Sequence, residues 1–109
     1  MTSKRDIEIV NAIIRATYEY FDIPVDVFIK NKSHKYAYMR RLCWYVIKNN
    51  TMLNYREISE LFDMNYSNIY RGIEEVAIQK NTYRDVARNL KNIIAATNNV
   101  EKNFEWQVE

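Results

Sequence analysis

One glycine, one proline, one cysteine and one histidine are all that this 109-residue chain carries of those four types. Each scarcity excludes something. Sheets and hairpins turn on glycine and proline, so a chain with one of each points to an all-helical fold. Gly72 alone cannot form a phosphate loop or a dinucleotide fingerprint, both of which need several glycines. Cys43 has no second cysteine to pair with, which excludes an internal disulfide and suits a reducing cytoplasm. Cys43 and His34 together supply neither a zinc set nor a nucleophile and base, and no pair of carboxylates is framed by a pocket signature. No apolar run approaches the roughly 18 residues a membrane helix needs, and the N-terminus lacks the apolar centre of a signal peptide. The expectation is a cytoplasmic protein that is not an enzyme, with no metal, no cofactor, no small-molecule substrate and no membrane contact.

What is present is apolar matter and charge. Hydrophobic residues make up 48% and charged residues 28%, a globular rather than a disordered composition. A chain of this length builds one core, not two. The formal net charge is only +2, but its distribution is uneven. Residues 27–56 contain no acid and seven bases: Lys30, Lys32, Lys35, Arg40, Arg41, Lys48 and Arg56. Residues 1–26 hold three bases against five acids, and residues 57–80 two against five. A solvated surface mixes signs, whereas a stretch of one sign concentrates a positive field.

Apolar spacing divides the chain into helices. The first runs from about Lys4 to Phe21, with Ile7, Val10, Ile14, Thr17, Tyr18 and Phe21 on one face and Ile13 widening it. Asp22 to Pro24 breaks it, and Pro24 suits the first turn of a short helix from Val25 to about Ile29. The polar, basic segment Lys30–Lys35 has no apolar anchor and reads as a loop. From Tyr36 to Asn50, Met39, Leu42, Cys43, Val46 and Ile47 form an unbroken helical stripe, which predicts a central core helix. Arg40, Arg41 and Lys48 leave that stripe, Trp44 and Tyr45 pack on neighbours, and Cys43 is inert filling.

Asn54 and Glu57 form a capping-box signal for the next helix, whose apolar face is Ile58, Leu61 and Phe62. The turn Asp63–Asn65 follows, and Asn65 caps a helix that buries Ile69, Ile73 and Val76. Its other face carries Tyr66, Ser67, Asn68, Tyr70 and Arg71. A short helix, a tight turn and a helix with a polar leading edge is the outline of a helix-turn-helix, here about residues 54–80. Asn81 and Thr82 are placed to cap a final helix that buries Tyr83, Val86, Ala87, Leu90, Ile93, Ile94 and Thr97 and ends at Asn98 and Asn99. The expected architecture is a compact all-α bundle of about six helices, with one domain over 1–97. The tail 98–109 carries Phe104 and Trp106 and reads either as disordered or as docking those rings on the domain.

From about Ile9 to Thr97 the chain resembles the C-terminal DNA-binding domain of the bacterial replication initiator DnaA, a Trp-repressor-like helix-turn-helix. The stretch Tyr18 to Ile29 is similar to that family's aromatic helix end and its short "I-x-V-x-D-L-L"-like helix. The 30–35 segment sits at the family's basic loop, Arg40 and Arg41 at an Arg-Gln that opens the long helix, and Lys48 and Thr51 at a matching Lys and Thr. Asn54 to Phe62 parallels "S-L-P-E-I-G-x-x-F", and Asp63 to Ile69 parallels "G-R-D-H-[ST]-T-V". The initiator's ATPase module has no counterpart here.

The resemblance implies a double-stranded DNA partner and a division of labour. Lys30, Lys32 and Lys35, with His34 as an extra donor, would reach the minor groove or its flanking phosphates. The loop is one residue shorter than the family's, so no single lysine inherits the groove-inserting arginine. Arg40, Arg41 and Lys48 would hold phosphates, with Arg56 adding a backbone contact. Asn65, Tyr66, Ser67 and Asn68 fall on the family's base-reading Asp-His-Thr-Thr, and Arg71 follows on the same helix. Two departures stand out. The Asp and His are replaced by Asn65 and Tyr66, and Glu74 and Glu75 stand where the family is basic. They leave a second reading open: a module for a protein partner or a homodimer that kept the fold and lost sequence-specific DNA binding.

Overall fold

The computed structural model describes residues 3–100, with the side chains of 99 and 100 left aside; Phe104 and Trp106 lie outside the described residues. Six helices follow in order: α1 (Lys4–Tyr20), α2 (Val25–Lys30), α3 (His34–Asn50), α4 (Tyr55–Phe62), α5 (Tyr66–Gln79) and α6 (Arg84–Val100). No strand occurs among the described residues. The bundle is organised on α3, which touches each of the other five helices, while α1 packs most extensively on α6. Burial nearly all round α3 explains its composition: Leu42, Cys43, Val46 and Ile47 are at most 1% exposed, and Trp44 and Tyr45 are buried as well.

Three of the polar residues caught in this core, Thr17, Asn50 and Thr97, bond to carbonyls of their own helices. Thr17 Oγ1 donates to Ile13 O at 2.7 Å, Thr97 Oγ1 to Ile93 O at 2.7 Å, and Asn50 Nδ2 to Val46 O at 2.8 Å. Each bond removes the penalty of a buried, unpaired polar group without needing a partner from another element. Tight reversals at α1–α2 and α4–α5 use the same device. Asp22 and Asp63 adopt left-handed φ of 56° and 51°, and the next amide closes back five residues, Ile23 N to Tyr18 O at 3.0 Å and Met64 N to Ser59 O at 2.9 Å.

Several sequence-based placements are corrected. The 30–35 segment is not one loop: Lys30 ends α2, His34 and Lys35 open α3, and only residues 31–33 connect the two helices. The buried arc of α1 centres on Ile9, Val10, Ala12, Ile13, Ala16 and Thr17, whereas Ile7, Ile14, Tyr18 and Phe21 are only partly covered. Contact with both α3 and α6 demands a broader arc than one stripe, and the two alanines let those helices approach. Leu61 is 45% exposed, because α4 turns Ile58, Ser59 and Phe62 inward. Tyr83 is 58% exposed and precedes α6. Asn81 and Thr82 do not cap that helix; the amides of Asn81, Thr82 and Tyr83 bond back to Ile78 and Gln79, prolonging α5 by a tight turn. At its other end α6 runs on through Asn98 and Asn99 to Val100.

Cys43 is fully enclosed, and burial pushes its thiol up to about 12, against a small opposing pull from Thr17. The thiolate is the reactive form. Native protein at pH 8 is therefore expected to resist an aromatic disulfide reagent and to release one thiol equivalent on unfolding; rapid labelling without denaturant would contradict this burial. Because the folded thiol holds its proton where the unfolded one loses it, this group withdraws stability as pH climbs from about 9 towards 12.

Candidate nucleic-acid interface

The helix-turn-helix is assembled by its polar punctuation. Asn54 Oδ1 accepts from Glu57 N at 2.8 Å, and Glu57 Oε1 accepts from Asn54 N at 2.9 Å, a complete capping box. Ile58 and Phe62 fix α4 to the core, with the Phe62 ring edge-on to Trp44 at 5.9 Å. Past Asp63, Asn65 caps α5: its Oδ1 accepts from Ser67 N at 2.8 Å and from Ser67 Oγ at 2.7 Å. Burial of Ile69, Gly72, Ile73 and Val76 then sets the phase of α5. At 3.6 residues per turn this directs Tyr66, Ser67, Tyr70, Arg71 and Glu74 outward, and all five are exposed.

On one flank of that outward face, α5 meets α3 and the 31–33 loop around a hollow of about 390 Å³. Lys32, Arg41 and Arg71 line it, together with Trp44, Asn68 and Glu75. The helices approach closely because Gly72 lacks a side chain; a Cβ there would come within 3.0 Å of both Arg41 Cγ and the Trp44 ring. A mid-helix glycine costs about 1 kcal/mol relative to alanine, and this approach is what it permits. Three buried donors of residues lining the hollow, Arg40 Nε, Arg41 Nε and Trp44 Nε1, have no hydrogen-bond partner among the described residues. Such groups are normally satisfied in proteins, and Glu75, the carboxylate lining the hollow, bonds none of them.

Arg40 departs furthest from the sequence reading. It is only 4% exposed, and its Nη1 donates to Phe28 O and Asn31 O, both at 2.7 Å. Burial, and secondarily the Arg41 charge, push its guanidinium below the ordinary value. It clamps the C-terminus of α2 and the start of the basic loop instead of projecting from α3 into solvent. Lys30 and Lys32 remain exposed beside it and border a second hollow of about 300 Å³ with Ile29, Asp63 and Met64. Lys35 lies apart, its Nζ 5.6 Å from the Tyr36 ring.

The opposite flank of α5 is aromatic. The Tyr55 ring stands edge-on to Tyr70 at 5.0 Å and to Tyr66 at 6.3 Å. Lys48 Nζ lies 5.1 Å above Tyr55, and the Arg56 guanidinium 5.8 Å from the Tyr66 ring. Tyr55 Oη donates to Glu74 Oε2 at 3.0 Å. Burial, then the Glu74 bond, push this phenol up to about 12, so the donor is permanent at neutral pH. Lys48 and Arg56 are thus brought together with Tyr66. Sequence spacing aligns Tyr66, Tyr70 and Glu74 on one helix, but Tyr55 reaching them across the turn was missed, since only the packing of α4 on α5 brings it there.

A six-helix bundle whose α4 and α5 are joined by a capped tight turn, with a basic loop beside the outward face of α5, defines a helix-turn-helix DNA-binding domain. The family profile described as the bacterial dnaA protein helix-turn-helix matches residues 10–76, more than half of the chain. The chain belongs to that family, a DNA-binding and not a catalytic one. No curated protein matches the chain. Among the described residues no helix is long and apolar enough to cross a membrane.

Proposed function

We propose that residues 1–97 act as one unit that binds double-stranded DNA. The outward face of α5 enters the major groove, and the basic 30–35 segment lies on the phosphates or minor groove beside it. The role the family supports is replication initiation or regulation. The supporting observation is the hollow between α3 and α5: Lys32 and Arg41 rim it with Arg71 beside them, and a phosphate oxygen is the acceptor that DNA offers such cations. Lys48 and Arg56 extend the phosphate surface past the aromatic flank. Tyr66, Ser67 and Arg71 stand outward for base edges, with Asn68 beside them at the hollow. Asn65 spends its side-chain oxygen on the cap, which leaves its amide group to reach a base.

Six bases remain for phosphates once Arg40 is assigned to the fold. Five or six such contacts give a slope of log affinity against log salt near −5, on the order of −0.9 per contact. A duplex titration across salt concentrations is expected to return that slope, and binding that ignores salt would overturn the reading. Asn68→Ala is expected to relax preference at one base by about 1–3 kcal/mol while leaving the salt slope unchanged. The exposed Tyr66 and Tyr70 favour a second reading, a protein-interaction face, because tyrosine and arginine are enriched at interfaces. Loss of duplex binding with retention of a protein partner on this face would support it.

A further inference from the structure

Glu74 is out of place on a surface that meets DNA. It stands on the outward face of α5, one turn past Tyr70 and roughly 12 Å along the axis from Tyr66, on the same groove-facing side as the leading residues. A carboxylate there repels every phosphate around it, and among the described residues no lysine or arginine pairs with it. It is nonetheless held. Tyr55 Oη donates to Oε2 at 3.0 Å, and the Tyr55 ring is itself fixed by Tyr66 and Tyr70 at its edges and by Lys48 on its face. One carboxylate oxygen is thereby oriented, and Oε1 is left to accept from outside. Glu75, its neighbour, faces the α3 hollow and does not share this position.

The four bases answer a fixed acceptor differently. Guanine presents only acceptors in the major groove, and thymine an acceptor and a methyl group. Adenine offers an amine, but its N7 acceptor sits alongside and repels a carboxylate. Cytosine offers the N4 amine with no acceptor beside it. We propose that Glu74, oriented by Tyr55, selects a cytosine in the major groove. This rests on the DNA-binding reading above. Glu74 trades general affinity for selectivity: it weakens binding to all duplexes through repulsion and recovers the loss only where a cytosine amine meets it. Tyr55 is a positioning residue, acting through the carboxylate.

The test is a selection from random duplexes with the full chain, run in parallel on wild type, Glu74→Ala, Glu74→Gln and Tyr55→Phe. Wild type is expected to enrich a cytosine at one position. Glu74→Ala erases that preference, keeps the others and binds random duplex more tightly than wild type. Glu74→Gln moves the preference to adenine, whose N6 and N7 suit an amide. Tyr55→Phe weakens the cytosine preference and leaves random-duplex affinity near wild type. Placing N4-methylcytosine at the enriched position, which points a methyl group into the groove, lowers wild-type affinity about 5- to 150-fold. Identical preferences in wild type and Glu74→Ala, or indifference to the N4-methyl group, overturn the proposal and leave DNA binding standing. Enrichment of no duplex at all overturns both.

Discussion

Arg40→Ala is expected to destabilise the fold by about 3 kcal/mol, which for a domain of this size lowers the melting midpoint on the order of 10–20 °C. The argument rests on what the substitution leaves behind. Phe28 O and Asn31 O each accept a charge-assisted bond at 2.7 Å, and both lie at the C-terminal end of α2, where carbonyls lack partners within the helix. A cation there also complements the helix dipole. Alanine strands two acceptors beside Phe28, which is fully buried. Arg40→Lys should recover only part of the loss: one nitrogen, Nη1, makes both bonds, but the lysine stem is one atom shorter and its ammonium more strongly hydrated. Duplex affinity, measured well below the transition, should fall for all sequences alike because the end of α2 and the 31–33 loop lose their anchor. Thermal melting and titration of the same variant check both halves. A variant that melts like wild type yet loses affinity would return Arg40 to the DNA-contact role its position in the basic stretch suggests.

The same residue marks where reading the sequence stops. Helix positions, the capping box at Asn54 and Glu57, the Asn65 cap and the core stripe of α3 were all legible, because they follow from local spacing and backbone chemistry. Arg40 leaves the apolar stripe and matches a basic family position, which reads as a phosphate contact, and nothing within its own helix shows that two orphan carbonyls twelve and nine residues earlier converge on it. Leu61 and the α1 stripe were misplaced for a related reason: periodicity gives a face, but which edge is covered depends on how many neighbours press on it. Gly72 was visible only as a missing loop motif; its use, admitting Arg41 and Trp44 to where a Cβ would stand 3.0 Å from each, is a property of two helices together.

The altered reading tetrad also gains a physical account. Asn65 in place of the family's aspartate keeps an oxygen acceptor for the cap. Tyr66 in place of histidine joins Tyr55 and Tyr70 in an aromatic flank that Lys48 and Arg56 overlie. Four of the bases otherwise scattered through residues 27–56 therefore fall into two groups, one on each side of α5. Lys32 and Arg41 border the hollow, and Lys48 and Arg56 border the rings.

Removing the charge on the hollow side should separate binding from folding. The combination Lys32→Ala and Arg41→Met is expected to bring the salt slope from about −5 to about −3, a change of about 0.9 for each phosphate no longer held. At about 0.15 M salt the two phosphates together are worth roughly thirtyfold in affinity, since each contributes the salt term once. Methionine at 41 is chosen because the arginine stem packs where a Cβ on residue 72 would meet it at 3.0–3.1 Å, and an alanine would add a packing loss to the charge loss. Stability should stay near wild type, because Lys32 is exposed and the Arg41 Nε that disappears had no partner. Site preference should survive at positions read from the aromatic flank, since phosphate contacts position the helix and base contacts specify. An unchanged slope in a folded variant would move the phosphate surface away from the hollow, leaving Lys30, Lys35, Lys48 and Arg56 to carry it.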